Sequence, residues 1–155
     1  MDLIEHLKII RNKIAALTNL VDGLEATNEV SCAINKLTES KMELGRVLKE
    51  LGSKSPYRHS KNPSNDIIIN TQEREGTPAF DNENISHVRK VKAYRNRIDH
   101  LEKELKAIFE LMDTENIWAK EHFKTAIIAL IQSGMWLGNE LGRVKEERDS
   151  YTVDI

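Results

Sequence analysis

Leu7, Ile10, Ile14, Leu17, Val21 and Leu24 are separated alternately by three and four residues. That spacing places them on one face of an α-helix and predicts a helix with a single apolar stripe. The same stripe returns at Val91, Tyr94, Ile98, Leu101, Leu105, Ile108 and Met112. Each stripe stops at a polar break holding residues that favour helix starts, Thr27-Asn28 in the first case and Asp113-Thr114 in the second. A second amphipathic run follows each break. The first would bury Val30, Ala33, Ile34, Leu37, Leu44, Leu48 and Leu51, the second Phe123, Ala126, Ile127, Leu130, Leu137, Leu141 and Val144. Amphipathic helices joined by short connections fold back on each other as antiparallel hairpins.

The two halves are copies of one unit. Met-x-Leu-Gly-x-x-Leu occurs at Met42–Leu48 and again at Met135–Leu141, and Arg11-Asn12-Lys13-Ile14 is matched by Arg95-Asn96-Arg97-Ile98. Leu17 corresponds to Leu101, Ala33-Ile34 to Ala126-Ile127, Leu37 to Leu130 and Ser40 to Ser133. The offset between copies is 84 residues before the break and 93 after it, so the second break region is nine residues longer. It contains Trp118, consistent with an extra turn of helix or an excursion. The predicted fold class is therefore all-α: tandem antiparallel helical hairpins over 1–52 and 86–148, joined by an irregular linker over 53–85, with a tail over 149–155. Gly52 is a normal C-terminal helix stop. The linker holds all three prolines, Pro56, Pro63 and Pro78, with room for a short strand or extended tether at Asp66–Asn70. Fraying is expected in the polar residues from Glu146 onward.

At 155 residues, the chain has room for one ordinary domain or two very small ones. Each unit alone is near the size at which a core barely offsets chain entropy, so the units should pack together or on copies of themselves. A homo-oligomer is the expectation, because the apolar seams exceed what two thin helices can cover. Formal net charge is −2 with acids and bases interspersed, which lacks the basic face of a polymeric nucleic-acid binder but leaves room for a small anion held by a few cations. Cys32 is the only cysteine, so no intramolecular disulfide can form, in keeping with a reducing cytoplasm. No signal-peptide core is present, and the longest purely apolar stretch, Ala126–Ile131, is too short to cross a bilayer.

No constellation for catalysis stands out. There is no Gly-rich phosphate loop, no Cys or His pair at zinc spacing and no nucleophile elbow, so no catalytic residue, metal ligand or cofactor is assigned. His6, His59, His87, His100 and His122 do not cluster and read as helix-surface residues. A magnesium-dependent nucleotide hydrolase would need paired acidic motifs. Glu110 to Asp113 supplies only half of one, and these acids read as solvated helix ends.

The glycines inside the second helices carry more information. Gly45 and Gly138 occupy the same repeat position, and Gly134 lies one turn before the latter. A mid-helix glycine costs about 1 kcal/mol relative to alanine. Something must come close to the backbone there, either a crossing helix or a ligand. Beside these glycines stand Arg46, Trp136, Asn139 and Arg143, candidates for phosphate contact and base stacking, although an aromatic at helical spacing is more often core. The stretch Ser53–Asn65 adds Lys54, Tyr57, Arg58, His59 and Lys61 without one acid. It reads either as a plain solvated linker or as a basic strap in which Tyr57, Arg58 and Lys61 meet a ligand.

Ile131-Gln132-Ser133-Gly134-Met135-Trp136-Leu137 resembles the second-helix signature of a phage protein family. So does Leu37–Gly52 followed by Ser55-Pro56-Tyr57-Arg58-His59-Ser60-Lys61-Asn62-Pro63-Ser64. The family is the helical-hairpin domain shared by phage anti-CBASS and anti-Thoeris proteins. The resemblance covers both helical units, and the Pro-Tyr-Arg-His-Ser-Lys stretch is its most distinctive part. It implies a sponge acting in the host bacterial cytoplasm, which binds cyclic nucleotide immune signals without cleaving them. The ligands implied are cyclic dinucleotides, cyclic trinucleotides or cyclic ADP-ribose isomers, held between hairpins of different protomers in an oligomer, often a hexamer. For a tandem chain a trimer would present the same number of hairpins. The chain departs from the family in having two hairpins where many relatives have one, and Glu43 where the second copy has Trp136. For the family's early-helix tyrosine, Tyr94 is the nearest aromatic, but its place in the stripe makes it core. The alternative reading is a phage helical module for protein–protein interaction.

Overall fold

A computed structural model describes residues 2–52 and 83–153, with side chains over 2–52 and 86–146. Among the described residues there are four helices and no strand: α1 (Leu3–Asp22), α2 (Asn28–Glu50), α3 (Glu83–Leu111) and α4 (Ile117–Val153). Asp66–Asn70, where a short strand was expected, lies outside the described residues, as does most of the linker.

Local chemistry sets the helix ends. The Asp2 carboxylate accepts the Glu5 N–H at 2.9 Å and caps α1. Thr27 caps α2, its hydroxyl accepting the Val30 N–H at 3.1 Å. α2 stops where Gly52 takes a φ of +91°, a conformation that favours glycine, and its N–H bonds the Lys49 carbonyl. The start of α4 corrects the sequence reading. Asn116 caps it, the side-chain oxygen accepting from Ala119 N–H at 3.1 Å, while Thr114 accepts the Asn116 N–H and shapes the turn before it. The two breaks, 23–27 and 112–116, are equal in length. The nine extra residues lengthen the helices instead, and Trp118 stands exposed in the first turn of α4. α4 continues to Val153, past the point from which fraying was expected. No glycine or proline follows Gly142, and Lys145-Glu146-Glu147-Arg148 are good helix formers. α3 likewise begins three residues before the expected boundary at 86.

The helices form a ring in which α1 packs on α2, α2 on α4, α4 on α3 and α3 on α1, without close diagonal approach of the backbones among the described residues. Cross-links fix the directions. Thr27 meets Glu140, Ser40 meets Ala126, Glu43 meets His122 and Glu50 meets Asn116, so α2 and α4 are antiparallel. Arg95 to Gly134 and Phe109 to Phe123 make α3 antiparallel to α4. Every neighbouring pair in the ring is then antiparallel, while α2 and α3 run the same way. The connection 53–82 therefore joins opposite ends of the bundle, about 34 Å apart at 1.5 Å per residue of α2.

All thirteen residues of the two first-helix stripes are buried, and one apolar cluster spans both hairpins. The central seam between α2 and α4 is lined by small side chains. Ala33, Ser40, Ala126 and Ser133 are all fully buried, and the Ser40 hydroxyl donates to the Ala126 carbonyl at 2.8 Å. Close helix approach selects residues of this size. Phe123 fills the space beside them, edge-on to Phe109 at a centroid distance of 5.3 Å.

Candidate functional site

The α3 sequence repeats polar groups at helical spacing on the side that faces α4. Lys92, Arg95, Asn96, Asp99 and Glu102 form one wall of a groove of about 470 Å³, with Ile98 beneath them and Ile131, Gly134 and Met135 of α4 opposite. This volume lies within the range of small-molecule sites. Arg95 reaches across the groove, its Nε donating to the Gly134 carbonyl at 3.2 Å. Its guanidinium lies against Gly138, where an added Cβ would stand 3.2 Å from Nη2 and 3.3 Å from Cζ. An added Cβ at Gly134 would come within 3.3 Å of the Ile98 side chain. Both glycines thus admit close contacts from α3, the bland alternative in the sequence reading, and they do so along a groove.

The electrostatics of the groove are lopsided. Asp99 pairs with Lys103 at 3.0 Å and Glu102 with Lys106 at 2.7 Å, each along α3. Neither Lys92 nor Arg95 pairs with a carboxylate among the described residues. The acids are locally neutralised and the cations are not. Met135, 61% exposed, and Ile131 add an apolar wall. Two cations beside an apolar surface suit an anion that carries a flat or greasy part.

The residues singled out in the sequence fall elsewhere. Arg46 and Arg143 each engage a buried glutamate three residues before them, Glu43 and Glu140. Arg143 is doubly bonded: Nε to Glu140 Oε1 at 2.8 Å and Nη2 to Oε2 at 2.9 Å. Glu140 is fully buried and also accepts from the Thr27 hydroxyl at 2.9 Å and contacts His87 Nε2. Burial pushes its carboxyl up, but the hydrogen bonds from Arg143, His87 and Thr27, with the charge of Arg143, outweigh this and hold it below the ordinary glutamate range. Glu43 likewise contacts Arg46 on its own helix and His122 Nδ1 from α4 at 2.7 Å. His87 and His122, expected on the surface, therefore bind the buried glutamates. These two clusters sit toward opposite ends of the bundle, about 27 Å apart along α4 from His122 to Glu140, so one chain cannot bring Arg46 and Arg143 to one small ligand. Trp136 is half-buried against the core, and Asn139 is exposed one turn from it. Tyr57, Arg58 and Lys61 lie outside the described residues.

Sequence reading missed Lys92, Arg95, Asn96 and Met135 as site residues. A signal was present. Arg-Asn stands inside an apolar stripe in both copies, and an arginine at the edge of a buried face must find an acceptor. In the sequence alone the pair reads as a marker of the repeat.

Compared with models of protein families, with curated proteins and with solved structures, the chain matches none.

Proposed function

We propose that this protein is a phage anti-defence sponge that binds a cyclic nucleotide immune signal in the host cytoplasm and withholds it without cleaving it. One observation carries the reading: the segment Ile131–Leu137, which bears the family resemblance, supplies the α4 wall of the groove whose other wall holds Arg95 and Lys92. A cyclic nucleotide presents phosphate anions and flat bases. Arg95, with fixed planar donors, and Lys92 are suited to the phosphates, and Ile131 with Met135 to the face of a base. Sequestration then works by mass action, lowering free signal below the threshold of the host effector. The strap residues Tyr57, Arg58 and Lys61 would add contacts from the linker.

Native mass spectrometry of the purified protein, alone and with a panel of cyclic nucleotides, tests this. The expected result is a protein–ligand mass that releases intact ligand on heat denaturation. Ligand returned as a hydrolysed product would replace sequestration with turnover, and failure of the whole panel to bind would remove the reading. A second reading, an interaction module, rests on Leu111, Ile117 and Trp118, which are 85%, 70% and 68% exposed around the α3–α4 turn. An aromatic with two aliphatics at one bundle end has the make-up of a protein-binding anchor. Substituting Trp118 and Leu111 by serine would abolish partner binding under that reading and leave nucleotide binding intact under the first.

A further inference from the structure

The groove between α3 and α4 is ordered along its length. Lys92, Arg95, Asp99 and Glu102 line it at spacings of three, four and three, so they share one face of α3. From Lys92 to Glu102 the helix rises about 15 Å. On the other side, Gly134 lies level with Arg95 and Phe123 with Phe109. That antiparallel pairing sets Ile131 beside the turn of α3 that runs from Ile98 to Glu102. Two cations thus stand at one end of the groove, and an aliphatic wall with two carboxylates at the other.

The packing of the hairpin does not require these acids. In repeat register Asp99 and Glu102 correspond to Ala15 and Thr18 of α1. Ala15 is buried, and the Thr18 hydroxyl donates to the Ile14 carbonyl of its own helix. The first hairpin is therefore built with no carboxylate at either position. In the second, Lys106 neutralises Glu102 from its own helix at 2.7 Å, which lessens repulsion of a phosphate held nearby by Arg95. That bond uses Oε2, and no donor meets Glu102 Oε1 among the described residues. Glu102 is also the more sheltered acid, its side chain 21% exposed against 55% for Asp99.

We propose that Glu102 makes the groove selective for guanine, with the phosphate at Lys92 and Arg95, the face of the base on Ile131 and its Watson–Crick edge on the Glu102 carboxylate. The rise from Arg95 to Glu102 is about 10 Å, on the order of the span from a nucleotide's phosphate to the far edge of its base. A carboxylate can only accept hydrogen bonds, and each of its oxygens has more than one lone pair, so Oε2 can serve Lys106 and a base together. Guanine presents two adjacent donors, N1–H and the N2 amino group, which match the two oxygens of one carboxylate. Adenine and cytosine set a ring acceptor beside their amino group, and uracil sets its one N–H between two carbonyls. Each of these turns a lone pair toward a carboxylate oxygen, which rejects them. The inference rests on the groove being the ligand site of the proposed sponge, and it names the base that the sponge selects.

Calorimetry on the full chain, with GMP and AMP as simple probes and cyclic di-GMP and cyclic di-AMP as signals, tests it. Wild type should bind each guanine ligand at least about tenfold more tightly than its adenine counterpart. Glu102→Gln keeps the side-chain length and the helix propensity but offers one donor beside one acceptor, the pattern that adenine matches. It should abolish or invert the preference while circular dichroism stays native. Asp99→Asn, one turn nearer the phosphate end, should leave the preference in place. An adenine ligand bound as tightly as its guanine counterpart by wild type, or a guanine preference that survives Glu102→Gln, would overturn the proposal. Cyclic dinucleotides bound without regard to base would remove the guanine reading and keep the sponge. A Glu102-dependent preference for GMP over AMP, with no cyclic nucleotide bound, would keep the guanine reading and remove the sponge. Wild type that binds none of the four ligands overturns both.

Discussion

Glu140 shows how a charge survives in the middle of a helical bundle. Its carboxylate has no solvent, but it has four hydrogen-bond contacts from Thr27, His87 and both arms of Arg143. Removing one partner of such a buried group costs more than a surface ion pair contributes, since the rest is left unmatched. Glu140→Gln should therefore lower unfolding stability by about 3 kcal/mol in urea melts near neutral pH. The sign of the pH effect follows from its depressed carboxyl. The stabilisation is full above the ordinary glutamate range and is lost as pH falls through the folded-state value. The gap between wild type and Glu140→Gln should narrow as pH falls below about 4.5 and through the folded-state value, and a constant gap would show that the charge is not what matters. None of this was legible in the sequence. A glutamate with an arginine three residues on looks like a solvated helix face, and its partners His87 and Thr27 lie 53 and 113 residues away.

At the scale of elements, the hydrophobic stripes were readable because a 3.6-residue period leaves little choice of buried face. Every residue of both first-helix stripes is buried, and Tyr94, placed in the core by its position in the stripe, is 3% exposed. Boundaries were less readable. Asp113-Thr114 and Asn116 all have capping side chains, and only the turn geometry selects Asn116. Asn116→Ala should cost about 1 kcal/mol of stability, and Thr114→Ala less, because Thr114 serves the turn and not the first helical amides. Thr27→Ala should exceed both, since the same hydroxyl caps α2 and donates to Glu140. Equal losses at Thr27 and Asn116 in denaturant melts would mean that the buried bond to Glu140 contributes no more than the exposed bonds of Asn116 to Glu50. The groove was half legible. The paired glycines marked the right stretch of α4, but the residue filling the space, Arg95, comes from α3, and helix pairing has to be known before it can be placed.

For the whole molecule, the expectation of exposed apolar seams changes once the hairpins face each other. The α2–α4 seam is covered within one chain, so the homo-oligomer expected from the sequence would use other surfaces such as Ile128 and Met135 on α4, 54% and 61% exposed. The same packing makes each hairpin depend on the other, because α2 and α4 share the core between them. A fragment covering 1–52 should be largely unfolded alone by circular dichroism, and so should one covering 83–153. Mixed, they should recover the helical signal as a 1:1 complex, since no described contact of the bundle requires the covalent connection from 53 to 82. That complex separates the two places where ligand contacts were expected. It keeps Lys92, Arg95, Gly134 and Met135 and lacks Tyr57, Arg58 and Lys61. If the groove is the principal site, the reassembled protein should bind a cyclic nucleotide within about tenfold of the intact chain, a difference of about 1.4 kcal/mol for the lost strap. A reassembled bundle with native helicity and no measurable affinity in calorimetry would move the site to the linker and leave the groove without a role in binding.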